Sequence, residues 1–242
     1  MNDRCGISRR TFAKFAGAAG LGFAVPCGLA QQAAAGAVSL FDGKTLNGWI
    51  QLENKAASPS ALSAGWTVKD GAMASTGSGR GVIFTANDYG RFRLMFTMRH
   101  VSGSPDHQAC VLIFCTRPKP DEKPLDALGG IQFQVPNGGH WDYRPGKNTN
   151  GGEEFTTVLK PQFDPHEWSR VEILADASTG TARMAVAQPV GSKAVEVLDF
   201  KDPTAGQAGP IALQMHNAGL FDEYKDISIV VNPAADRLIT LD

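Results

Sequence analysis

Beyond its first 30 residues the chain sustains no apolar stripe at helical spacing; it alternates instead. Arg91 to Arg99 sets Phe92, Leu94, Phe96 and Met98 on one side and polar or charged residues mostly on the other. Successive side chains of a strand point to opposite faces, so such a segment has a core face and a solvent face. The pattern recurs in short pieces between Gly, Pro, Asn and Asp. Gly65-Trp66-Thr67-Val68 enters a Lys69-Asp70-Gly71 turn and continues through 72–76, and further segments lie at 130–135, 170–175, 182–187, 195–200, 211–216 and 227–231. Ala109 to Cys115 is apolar on both faces, as a central strand would be. Many short strands in one chain predict an all-β jelly-roll sandwich of two antiparallel sheets.

The N-terminus has a different character. Ser8-Arg9-Arg10-Thr11-Phe12-Ala13-Lys14, then an Ala/Gly-rich apolar run from Phe15 to Ala30, reads as a cleaved twin-arginine export signal. Cleavage is expected before Gln31, or after Ala35, giving a signal over 1–30, a linker over 31–37 and one domain over 38–242. The run is too short and glycine-rich to span a bilayer. The expected location is periplasmic or extracellular. Loss of Arg4, Arg9, Arg10 and Lys14 with Asp3 takes the formal charge from −1 to about −4. A mildly acidic chain has no electrostatic reason to bind nucleic acid or an anionic membrane.

Cys110 and Cys115 remain after cleavage. Their odd separation puts them on opposite faces of a regular strand, about 16 Å apart along it, so they are expected to be buried free thiols. Two long loops interrupt the strands, at 116–129 and from Pro136 to about Glu154. The second carries His140, Trp141, Asp142, Tyr143, Arg144 and Lys147 within eight residues. Disordered segments are poor in aromatics, so an ordered functional loop is expected.

Two strands share an unusual design. In G-I-Q-F-Q-V, residues 130–135, Gln132 and Gln134 lie opposite the apolar Ile131, Phe133 and Val135; in G-P-I-A-L-Q-M-H, residues 209–216, Gln214 and His216 lie opposite Ile211, Leu213 and Met215. If both strands belong to one sheet, three amides and an imidazole face the same way. Amides supply the paired donors and acceptors that sugar hydroxyls require, and Trp141 and Tyr143 offer stacking surfaces. Polar outer residues are also what any solvated sheet carries. His166 reads as a turn residue, His100 and His107 as structural or solvated, and Trp168 as a core plug. Asp142, Glu153 and Glu154 also read as solvated charges. No E-x-D-x-x-E strand, G-x-S-x-G, H-E-x-x-H or phosphate loop occurs.

The start of the domain, L-F-D-G-K-T-L-N-G-W at 40–49, resembles the opening of the 3-keto-disaccharide hydrolase family, also described as 3-keto-glucoside 1,2-lyase/3-keto-2-hydroxyglucal hydratase domains. G-W-T-V-K-D-G-A-M (65–73), D-Y-G-R-F-R-L (88–94), G-I-Q-F-Q-V (130–135), H-E-W-S-R-V-E-I (166–173), G-P-I-A-L-Q-M-H (209–216) and F-D-E-Y-K-D-I-S-I (221–229) follow in the family's order. Where the family usually has Glu-x-Gln this chain has Gln132 and Gln134; its usual Asn-Ser-Gly is Gln108-Ala109-Cys110, with Arg117 a loose match for the following Arg, and its usual Arg-Asn is Lys225-Asp226.

The resemblance implies a concanavalin-like jelly roll and cleavage of 3-keto-glycosides. The route would be C2-proton abstraction, β-elimination and rehydration, with a sugar 3-dehydrogenase supplying the substrate. Such a site needs a base titrating near neutrality, an electrophile for the enolate and an acid for the leaving group. His216 is the candidate base or acid, with His140, Asp142 and Tyr143 as partners. Arg144, Lys147 or a divalent metal ion would stabilise the enolate, and Gln132, Gln134, Gln214 and Trp141 would hold the sugar. The opening decapeptide is expected to be structural, a turn with a buried Trp49. A non-catalytic carbohydrate-binding module, or an ordinary glycoside hydrolase or polysaccharide lyase, are the alternatives on this fold.

Overall fold

The structure is a computed structural model that describes residues 36–54, 65–103, 109–117, 128–142, 155–156, 162–201 and 206–242. They lie within one compact unit, Gln31–Asp242. Among them no helix is long and apolar enough to cross a membrane. Every element defined among them is a strand: β1 (Val38–Ser39), β2 (Trp49–Asn54), β3 (Trp66–Lys69), β4 (Ala72–Ser75), β5 (Arg80–Thr85), β6 (Arg91–Ser102), β7 (Cys110–Ile113), β8 (Ile131–Gln134), β9 (His140–Asp142), β10 (Phe155–Thr156), β11 (Ser169–Asp176), β12 (Thr181–Ala187), β13 (Val195–Lys201), β14 (Ala212–Met215) and β15 (Phe221–Val231).

They form two antiparallel sheets. The first runs β13-β12-β11-β6-β15-β4-β3, with β1 also on β15; the second runs β10-β9-β8-β7-β14-β5-β2. This is the jelly-roll sandwich that the alternation predicts. Its core takes Phe92, Leu94, Phe96 and Met98 from β6, Val171 and Ile173 from β11, and Val111, Ile131, Phe133, Leu213 and Met215 from the facing sheet. Residues 1–30, expected to be an export signal, lie outside the described residues.

The segment at 40–49 is structural, as expected. Asp42 accepts from the backbone N–H of Lys44 and Thr45, which hold its carboxyl below the usual range, and Trp49 donates to Leu40 O at 2.7 Å. Trp49 is half-buried at the edge of the core rather than enclosed by it. Trp168 departs from expectation. It precedes the inward Ser169 and so turns to the outer face, where Arg99 and Lys225 lie over its ring at 4.6 and 4.0 Å. The cysteines are free and buried, but alternation fails between them. Phe114 adopts φ 55, and this left-handed residue turns Cys115 back toward Leu112 on the outer face of the second sheet.

The C-terminal residues strap the outer face of the first sheet. Glu172, fully buried, accepts from Arg93 Nε, from the backbone of Ile239 and Thr240 and from Thr240 Oγ1. Arg93 donates onward to the carbonyls of Ala235 and Arg237, and Leu238 packs beside Leu174 and Ala185.

Candidate functional site

Registers across the second sheet define its outer face row by row. One row reads Trp141, Gln132, Leu112, Ala212, Phe84 and Ile50, each paired with the next. The next reads Gln134, Cys110, Gln214, Val82 and Leu52. A third begins where β14 ends: His216 follows Met215, the partner of Gly81, and continues the alternation, while Arg80, next to Gly81 on β5, pairs with Asn54. Gln132, Gln134, Gln214 and His216 therefore share one face and one end of the sheet, with Trp141 on its flank.

Polarity changes along the strands. The chain passes from Ala212 through Gln214 on β14 to His216 just beyond it, and β5, read in reverse, from Phe84 through Val82 to Arg80. At the apolar end Val82, Phe84, Leu112 and Ala212 pack with Cys115 and Leu128, which close that half against water. Among the described residues, the polar half is the part of this face whose side chains suit a ligand of mixed character. Gln132 and Gln214 form its floor at 2% exposure each, and Gln134, Trp141 and His216 are half-buried at its rim.

The floor contains a residue that sequence reasoning leaves aside. Cys110 sits between Gln134 and Gln214 in the row, and Gln132 Nε2 donates to its Sγ at 3.1 Å. With that bond made, Gln132 Oε1 is buried without a hydrogen-bond partner among the described residues. A buried amide oxygen in this state gains from a ligand O–H. At the rim, His216 Nδ1 lies 2.8 Å from Asn217 Oδ1.

The remaining candidates separate. His140 pairs with Phe133, so its ring turns to the inner face and packs on Phe200 at 4.6 Å between centroids. It does not join the glutamine face, because it is one residue out of step with Trp141. The segment expected to be a loop contains the short strand β9, which pairs with β8 on one side and with the edge strand β10, just beyond that segment, on the other. Asp142, on β9, pairs with Ile131. Tyr143, Arg144, Lys147, Glu153, Glu154 and His107 lie outside the described residues. His166 is exposed, as expected, with Nδ1 3.0 Å from His100 O.

His100 is structural in a more specific way than its sequence position shows. Its Nδ1 lies 2.7 Å from Asp222 Oδ1, both residues being buried on the inner face of the first sheet. Burial raises the Asp222 carboxyl, and the bond to His100 opposes that rise. Burial likewise pushes the Tyr224 phenol well above its ordinary value, with Asp222 and Cys110 adding to it.

Among the described residues no three His, Cys, Asp or Glu side chains converge as a metal would need. Divalent hard cations take mainly carboxylate and carbonyl oxygens, and the polar end offers amides with a single imidazole. The described residues do not fit a divalent ion.

The model of the 3-keto-alpha-glucoside-1,2-lyase-like domain matches residues 36–230. The chain belongs to this family. No curated protein is similar enough in sequence to match it. Among solved structures, the carbohydrate recognition domain of Emp47p superposes with TM-score 0.50 at 13% identity, covering 82% of this chain and 96% of that one. The VIP36 exoplasmic/lumenal domain, in its Ca2+/Man3GlcNAc-bound form, superposes with TM-score 0.51 at 8% identity, covering 82% and 90%. At such identities the likeness shows the fold, a concanavalin-like jelly roll of the kind found in sugar-recognising domains. The family gives the chain a carbohydrate-related role.

Proposed function

We propose that this family member is an exported enzyme that cleaves 3-keto-glycosides by elimination and rehydration. The observation that supports it is the convergence of Gln132, Gln134, Gln214 and His216 on one end of one sheet face, in a chain of this family. A ketone at C3 acidifies the hydrogen on C2. His216 takes that proton, and the C2–H electrons form the enolate. Amide N–H groups of the glutamines stabilise the enolate oxygen and hold the hydroxyls. The enolate collapses to a C1–C2 double bond and expels the C1 substituent, which leaves with a proton. Water then adds across that double bond, giving net hydrolysis. Asp142, Tyr143, Arg144 and Lys147 remain candidates for the acid and for anion stabilisation, and Trp141 for stacking on the ring. His140 is not assigned a part, because its ring faces Phe200.

A sugar 3-dehydrogenase is the partner that would supply the ketone, and residues 1–30 would direct export. Protein recovered from the periplasm should begin at Gln31, or at Gly36 if the cut follows Ala35.

The test offers the purified protein a 3-keto-glucoside and its unoxidised parent in deuterated water, with and without chelator, followed by NMR. Aglycone release from the keto form alone, with deuterium entering at C2, is expected. His216→Gln should slow release by about a hundredfold or more, the usual contribution of a general base. Binding of the unmodified glycan with no release from either compound would overturn the proposal in favour of a binding module, the role that the Man3GlcNAc-bound VIP36 domain suggests. Loss of activity with chelator would require metal ligands beyond the residues described above.

A further inference from the structure

His216 is followed by a residue that meets its ring. Nδ1 of His216 and Oδ1 of Asn217 are 2.8 Å apart, and both residues are half-buried. An amide oxygen can only accept, so Nδ1 carries the proton in this bond. The neutral imidazole then keeps its lone pair on Nε2. The turn that joins β14 to β15 fixes Asn217 in place. Leu220 N–H donates to Asn217 O at 3.4 Å, and Gly219, at φ 83, donates its N–H to Gly77 O at 2.9 Å. A side chain at position 219 would be strained at that φ, so the turn depends on glycine there.

We infer that Asn217 is a positioning residue for His216. It holds the ring as the Nδ1–H tautomer and makes Nε2 the proton-accepting atom of the site. The inference rests on the reading of His216 as the base. The absence of charge on Asn217 is part of the device. A carboxylate at this distance would stabilise the imidazolium and raise the pH at which the ring becomes neutral. An amide orients the ring without that effect. By register, Arg80 of β5 lies next to Gly81, the partner of Met215, and Cys110 of β7 pairs with Gln214. The His100–Asp222 pair lies on the inner face of the other sheet. Gln134 and Gln214 contribute no charge.

The test is nitrogen-15 NMR of the full protein labelled at histidine, with His216 assigned from the His216→Gln spectrum. Above neutral pH the His216 resonances should show a protonated Nδ1 and an unprotonated Nε2. Asn217→Ala should move the proton toward Nε2. It should lower kcat on the 3-keto-glucoside by about tenfold or more while KM changes little, since a general base in the wrong tautomer loses most of its contribution. Asn217→Asp should keep the Nδ1–H tautomer and move the acidic limb of the kcat/KM–pH profile up by about one unit, because a neighbouring carboxylate favours the protonated ring. An Nε2–H tautomer in the unmodified protein overturns the inference, as does an unmoved pH profile in Asn217→Asp. Should Asn217→Ala fail to fold, the unmodified spectrum and Asn217→Asp still decide. If the tautomer is as stated but no 3-keto-glycoside is cleaved, it is the reading of His216 as the base that fails, and the positioning of its ring stands.

Discussion

Gln132 donates from Nε2 to the sulfur of Cys110 at 3.1 Å, on a sheet face where neither is open to solvent. The thiol thus satisfies a buried amide N–H and leaves the amide oxygen as the end without a partner among the described residues. Cys110→Ala removes that acceptor and should destabilise the protein by about 1 to 3 kcal/mol, the cost of stranding a buried donor. Cys110→Ser keeps an acceptor and should lose less. Urea unfolding of the three proteins decides, and equal losses in both variants would refute the role.

Glu172 carries the C-terminal strap. It accepts from Arg93, Ile239 and Thr240, and Arg93 in turn holds Ala235 and Arg237. Glu172→Gln leaves the Arg93 guanidinium buried without its counter-charge. Breaking a buried pair in this way costs about 3 to 5 kcal/mol. The expected result is a lowered unfolding midpoint, with cleavage of the last residues by carboxypeptidase before the rest of the domain is attacked.

Asp222 makes stability depend on pH with a definite sign. Burial raises its carboxyl above the unfolded value, so the folded protein holds that proton when the unfolded chain has released it. Stability from this group is present below the unfolded value and is lost as pH rises toward the elevated folded one. The loss is about 1.4 kcal/mol for each unit of elevation. Asp222→Asn keeps an acceptor for His100 but cannot titrate. Its stability relative to the unmodified protein should therefore rise across that window. Urea unfolding at a series of pH values measures this; a constant difference would rule it out.

Trp141 flanks Gln132 at the edge of the polar end. Trp141→Ala should weaken binding of a 3-keto-glucoside by about 1 kcal/mol, roughly fivefold, if an aromatic face stacks on the sugar. Calorimetry on the His216→Gln background reads the binding with turnover slowed. Unchanged affinity would leave Trp141 with a structural role.

The alternating segments of the sequence place β6, β8, β11, β12 and β14 well, because each has one apolar face in strict period two. They also bring Gln132, Gln134, Gln214 and His216 to one side. β2 and β5 are less legible. Their outer faces carry Ile50, Leu52, Val82 and Phe84, so both sides are apolar to some extent and the period is blurred. Nearness in a loop groups His140 with Trp141. Neighbours on a strand point apart, and once β9 pairs with β8 the two must separate. Cys115 escapes the alternation because the positive φ of Phe114 has no signature in composition. The turn that sets Asn217 against His216, and the pairing of His100 with Asp222, depend on the β14–β15 connection and on strand register, which hydrophobic pattern alone does not specify.

The pleat gives this sheet two independent ledgers of selection. Along 211–216 the odd-numbered Ile211, Leu213 and Met215 hold the sandwich together, while the even-numbered Gln214 and His216 alternate with them; on β8, Ile131 and Phe133 are set against Gln132 and Gln134 in the same way. Parity therefore separates the residues that fill the core from those proposed to meet a ligand. On that reading a lineage can rewrite the even positions for a new sugar without reopening the core. A saturation scan scored for folding should rise and fall with every second residue, and one scored for ligand should follow the same beat one residue out of phase.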